Sequence, residues 1–189
     1  MRIKPIPPDA LSTEVRHVHD EIARLVGNSQ GQVKMINSEG ALLGPFPAML
    51  QYSQFGIHAL SFSRSLDMHA TLDKRVREVA ILTVGGVFGA RFILYAHEIM
   101  AQAFSISPGS ISSLAAGSHP QGLNEQEAMA HEIAYALVTG RIIHDSMYKH
   151  AVSLFGEDAV AELIFLIGSY CLLAMVLNGF DMPAPDNNG

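Results

Sequence analysis

Cysteine is almost missing from this chain: Cys171 is the only one in 189 residues. That excludes an intrachain disulfide and any dithiol redox cycle within one subunit, and it fits a reducing, cytoplasmic setting. Tryptophan is absent and charged residues are scarce, at 16%. Lys and Arg number 12 against 18 Asp and Glu, a net charge of −6, so no cationic excess is available to neutralise a phosphate backbone and nucleic acid is excluded as an expected partner. The N-terminus MRIKPIPPDA offers no secretory h-region, because prolines 5, 7 and 8 interrupt it. Period-two alternation and hairpin signals are missing too, which argues against a sheet.

What the chain has is apolar helix. Hydrophobic residues make up 49%, enough to fill the core of one domain over 1–189, with a frayed tail over 180–189. Leu11, Val15, Val18, Ile22 and Leu25 recur at helical spacing behind Asp9 as a cap, up to Gly27-Asn28. Glycines and prolines between 28 and 47 predict an ordered loop anchored by Leu42, Leu43 and Phe46. A helix over 48–66 is expected to wobble at Gly56. Asp73 can cap a helix from Lys74 to Phe88, and Gly89 separates it from another over Ala90–Phe104. Ser107-Pro108 and the Asn124/Glu127 capping box open two more, and the last helices span about Asp145–Phe155 and Glu157–Leu177. The expected fold class is therefore all-α. Two apolar runs invite a membrane reading: Glu78–Ala96 carries Arg91 and three glycines, and Leu163–Leu177 falls short of the roughly 20 residues a span needs. Both read as core helices of a protein that does not enter a membrane, and two such apolar helices in a small chain point to self-association.

Nine histidines raise the question of a metal. His97-Glu98 and His131-Glu132 begin like HExxH, but Ala101 and Tyr135 stand where the second histidine belongs. His17 and His19 are roughly 200° apart around a helix and cannot chelate one ion together. No metal and no cofactor is expected, and His17, His19, His119, His144 and His150 read as solvated or capping residues. Glu78 stands out, because a carboxylate inside VREVAILTVGGV must be paired or neutralised. The ordinary partner would be Arg75 or Arg77. The other is His97, 97 − 78 = 19 residues on, which a hairpin at Gly89 would fold back toward Glu78. A Glu–His pair in an apolar pocket is a proton-transfer device suited to neutral pH. Cys171, inside SYCLLAMVL, reads as core filler.

The stretches GALLGPFPAML (40–50), RVREVAILTVGGVFGARFILYAHEIMAQAFSIS (75–107) and FGEDAVAELIFLIGSYCLLAMVLNGFDMP (155–183) resemble the carboxymuconolactone decarboxylase family. The likeness covers most of the chain. It implies an all-α bundle assembled into homotrimers or homohexamers, with Glu78 and His97 as the functional pair. In the peroxidase branch of that superfamily a CxxC precedes the histidine; carried over, its cysteines fall at Ala90 and Ile93, and neither can form a thiolate. The resemblance thus implies a cofactor-independent lyase or related proton-transfer enzyme for a small carboxylated lactone or ring compound. Ala90, Ile93 and Phe46 would supply apolar walls, and Arg64 or Arg91 a cation for the carboxylate. A noncatalytic ligand-binding or scaffold protein is the alternative, and a peroxidase dependent on Cys171 ranks third.

Overall fold

The computed structural model describes residues 1–27 and 33–185. A 3-10 turn at Pro8–Ala10 is followed by α1 (Thr13–Gly27), α2 (Phe46–Gln51), α3 (Ser53–Met68), α4 (Lys74–Phe88), α5 (Arg91–Ala103), α6 (Pro108–Ala115), α7 (Glu125–Val138), α8 (Asp145–Phe155) and α9 (Glu157–Gly179). Among the described residues the only extended pairing is a single bridge, Ile36 to Leu42. The fold is an all-α bundle, as the periodicity predicts.

Several boundaries follow from local chemistry in the sequence. Asp73 accepts from the Arg75 amide at 2.8 Å and starts α4. Asn124 and Glu127 form the reciprocal capping box of α7, and Ser107 with Pro108 starts α6. Gly89 ends α4 at φ +60°, a left-handed conformation that favours glycine. Other boundaries differ. Asp9 does not cap α1; it lies in the 3-10 turn and pairs with Arg16, while Ser12 Oγ meets the Val15 amide. Asn28, and the part of the predicted loop over 28–32, fall outside the described residues. The 48–66 segment divides at Tyr52 rather than at Gly56. Gly56 instead serves helix packing. A Cβ there would stand 2.1 Å from the Met49 carbonyl oxygen, so only glycine lets α2 cross α3 this closely. The tail is not frayed where it is described. Met182 is buried and donates its amide to Leu177, and Asp181 pairs with the N-terminal ammonium and with Arg91. Residues 186–189 lie outside the described set.

α4 occupies the centre, packed against α5, α6, α7 and α9. This explains its nearly all-round apolar sequence: Val76, Val79, Ala80, Leu82 and Val84 are all within 2% of complete burial. α9 is longer than the Leu163–Leu177 run, 23 residues, and by length and composition it would suffice to cross a bilayer. The expectation that it is too short is corrected. Within the bundle one face packs on α4, α3, α7 and α8, while Phe165, Leu172 and Met175 remain exposed on the other.

Candidate functional site

The α4–α5 hairpin brings together the two ionisable residues that the sequence isolates. Gly89 reverses the chain, the Ala90 amide reaches back to the Gly85 carbonyl at 2.9 Å, and α5 returns along α4. His97 Nδ1 then lies 2.8 Å from Glu78 Oε2, with Glu78 4% and His97 8% exposed. The alternative arginine partners are engaged elsewhere. Arg75 donates Nε–H to Glu127 at 2.6 Å and also bonds the Phe104 and Ser105 carbonyls. Arg77 pairs with Asp67 at 2.6 Å and Glu162 at 2.7 Å. Glu162 further accepts from the Thr71 and Leu72 amides and the Thr71 hydroxyl, and together with Arg77 these bonds outweigh its partial burial and lower its pKa. The expected ion pair of Glu78 with Arg75 or Arg77 therefore does not form.

A carboxylate accepts and cannot donate, so the contact assigns a proton to His97 Nδ1. The other ring nitrogen, Nε2, has no partner among the described residues. His97 lines a cavity of about 760 Å³ bounded by α1, the 33–46 segment, α3, α5 and α9. That volume suits a drug-sized organic molecule, in the range of roughly 300–1,000 Å³ typical of ligand sites. The polar lining residues are Ser63, Asp67, Lys74, His97 and Tyr170; the remainder are apolar. A cleft between the N-terminus and the tail measures only about 50 Å³ and has no ionisable side chain in its lining.

Phe46 and Ile93 line the cavity, Ile93 one turn before His97. Ala90 does not: it is completely buried as the N-cap of α5, so it contributes to the core rather than to the wall. Arg64 is exposed and pairs with Glu21; Arg91 is exposed and pairs with Asp181 at 2.6 Å. Neither arginine lines the cavity, because α3 and α5 turn those positions outward.

Two cavity residues are not foreseeable from the sequence. Tyr170 sits edge-on to His97, ring centroids 5.1 Å apart. Burial, followed by the nearby Glu78 and Asp67 carboxylates, raises its pKa, which keeps the phenol protonated and able to donate. No group among the described residues accepts from it. Lys74, the first residue of α4, is the cavity's lysine, and its ammonium lies 5.3 Å from the centre of the Phe104 ring. The signal available for both is a polar atom on the flank of an apolar helix, which other positions along the chain share.

A second polar cluster stands apart from this cavity. Thr83 donates its hydroxyl to the Val79 carbonyl at 2.7 Å, so at 2.9 Å it accepts from His131 Nδ1–H. His131 Nε2 then accepts from His119 Nδ1–H at 3.0 Å. Burial, reinforced by the charge on His119, pushes the His131 pKa down to about 4. His19 is likewise buried rather than solvated, between Asp20 and the Gly40 carbonyl. Cys171 is half-buried, and burial raises its thiol pKa.

No family model matches the chain, and no curated protein matches it in sequence. Solved structures share its fold. The alkylhydroperoxidase AhpD core of an uncharacterised peroxidase-related protein from Ralstonia eutropha superposes with a TM-score of 0.74 at 14% identity, covering 98% of this chain and 92% of that one. The debrominase Bmp8, in a cysteine-to-alanine form complexed with 2,3,4-tribromopyrrole, gives 0.71 at 12% identity with the same coverage. The bundle is thus of the AhpD type, and identities this low speak for the fold alone.

Proposed function

We propose that this chain is a cofactor-independent proton-transfer enzyme, with decarboxylation of a carboxylated ring compound as the reaction its site suits best. The observation that carries the reading is the buried 2.8 Å contact of His97 Nδ1 with Glu78, which leaves Nε2 without a partner among the described residues and on a cavity sized for an organic ligand. Support for a ring substrate comes from the like-folded debrominase, which holds a tribromopyrrole. Ala90 and Ile93 stand at the positions the family resemblance gives to the peroxidase cysteines, and Cys171 is a thiol made less acidic by burial, so peroxide chemistry has no nucleophile here.

In the proposed step the C–C bond to the carboxylate breaks and CO₂ leaves. The electron pair moves into the adjacent carbonyl to make an enolate, and His97 in its doubly protonated form, an imidazolium held by the Glu78 carboxylate, gives its Nε2 proton to the carbon. Nδ1–H stays hydrogen-bonded to Glu78 throughout, and the neutral ring left behind regains its Nε2 proton from solvent. The Tyr170 hydroxyl is the donor suited to the enolate oxygen, being protonated and without another acceptor among the described residues. We further propose that the chain acts in the cytoplasm as a homotrimer or homohexamer. Phe165, Leu172 and Met175 on α9, joined to α3 through the edge contact of Phe62 with Phe165, give the apolar face such an assembly would bury.

The test is turnover, or solvent deuterium exchange into bound carbon acids, by the wild type, His97→Ala and Glu78→Gln. Loss of about two to four orders of magnitude in each variant, with folding and assembly intact, is the expected result. A wild type that binds such ligands without exchanging or converting any of them would make the chain a binding protein.

A further inference from the structure

The cavity offers more than the proton-transfer pair needs, and its charges are unevenly placed. Most of its wall is hydrocarbon, including Met35, Phe46, Leu60, Phe92, Ile93 and Met100. A small lactone carrying a carboxylate would leave much of this surface without contact, and an apolar wall gains only when apolar surface covers it. The charged side chains of the lining, His97 aside, are Asp67 and Lys74. Asp67 already has a cation, Arg77, at 2.6 Å. Lys74 has no ion pair among the described residues; its ammonium rests against the face of Phe104, itself part of the wall. Lys74 and Glu78 are also i and i+4 on α4, so they occupy one side of the helix about 6 Å apart along its axis. The ammonium therefore marks the exposed end of the cavity, and the Glu78–His97 pair its buried side, one helical turn further in.

We infer that the cavity takes an amphipathic carboxylic acid, an apolar body larger than a single small ring with its carboxylate held by Lys74. This rests on the proton-transfer reading only for what happens at the other end. The apolar body fills the space between α3, α5 and α9. The carboxylate sits at the mouth, where it keeps part of its hydration and gains a charge-assisted hydrogen bond from an otherwise unpaired ammonium. A held carboxylate is an anchor and is not the group lost. In the decarboxylation form of the reaction the substrate then carries a second carboxylate next to the carbon at His97.

Equilibrium binding of matched probes tests this without requiring turnover. Naphthylacetate, naphthylacetamide and naphthylethylamine share one hydrocarbon body and differ in the charge at its end. The wild type is expected to bind the acid roughly tenfold or more tightly than the amide, the order of one charge-assisted hydrogen bond. Lys74→Met removes that difference by weakening the acid and leaving the amide unchanged, and Lys74→Arg keeps it. His97→Ala leaves the preference intact. Lys74 is exposed, so its replacement does not threaten folding. Equal affinity for acid and amide, a preference for the amine with Asp67 as its partner, failure to bind any probe, or an acid preference that survives Lys74→Met would each overturn the inference. Acid preference without exchange at carbon would instead retire the proton-transfer reading and leave this one standing.

Discussion

Titration of His131 gives a prediction whose size follows from the geometry. The ring is 5% exposed, donates Nδ1–H to Thr83 and accepts at Nε2 from His119. Both bonds suit the neutral ring, and a proton added at Nε2 would face the His119 donor head-on. With the folded-state pKa near 4 and the unfolded one near 6.5, the unfolded chain takes up a proton first as pH falls. Stability is therefore fully present above pH 6.5, declines between 6.5 and 4, and levels off below. The shift corresponds to about 3 kcal/mol, and to about 2 kcal/mol once water on the exposed His119 side is allowed to screen it. Urea unfolding of the wild type and His131→Gln at about pH 7.5 and about pH 4.5 brings out the effect, since groups other than the contacting His119 titrate alike in both. The wild type is expected to lose about 2 kcal/mol more than the variant over that range. Equal losses, or a larger loss in the variant, would refute the assigned direction of this hydrogen-bond chain.

Three further outcomes are expected. The double variant Glu78→Gln with His97→Ala should turn over little worse than the worse single variant, because two residues acting as one unit are not additive; simple multiplication of the two defects in steady-state kinetics would separate their roles. Light scattering should give three or six subunits, and Phe165→Glu with Met175→Glu should dissociate them; a wild-type monomer at micromolar concentration contradicts the assembly. Hydroperoxide reduction should stay at background, and robust activity that persists in Cys171→Ser would mean the chemistry has been misassigned.

Helix identity is legible in the sequence wherever a local chemical signal marks an end. Asp73, Gly89, Ser107-Pro108 and the Asn124/Glu127 box each act on backbone groups within a turn, so their effect needs no tertiary context. Gly56 misleads because its requirement is tertiary: the Met49 carbonyl that forbids a side chain belongs to another helix. The same distinction runs through the site. Glu78 and His97 are visible because each is an ionisable residue in an apolar helix, and one glycine turn suffices to join them. Arg64 and Arg91 attract notice for charge alone, and charge does not say which way a helix faces; the acidic residues Glu21 and Asp181 that claim them are 43 and 90 positions distant. Tyr170 and Lys74 escape notice for the converse reason, since only the packing of α9 and α4 around a common void gives them a shared purpose.

The buried Glu78–His97 contact bears on function through what it does not contribute to stability. Taking a carboxylate and an imidazole out of water costs several kcal/mol, and a well-made mutual hydrogen bond returns that cost roughly in full without a surplus. Apolar residues of similar volume at both positions would hold α4 against α5 equally well or better, by about 1–4 kcal/mol in comparable cases. The rest of α4 shows that the fold has no shortage of such contacts, with Val79, Leu82 and Val84 completely buried. Where the bundle does use buried charge for structure, it surrounds the group with bonds: Glu127 meets an arginine and an amide, and Glu162 meets an arginine, two amides and a hydroxyl. His97 is treated differently: among the described residues it is fixed at Nδ1 and left open at Nε2, on a cavity and beside a tyrosine whose hydroxyl has no acceptor there. A structural pin has no need of that open nitrogen, whereas a proton-transfer residue cannot work without it.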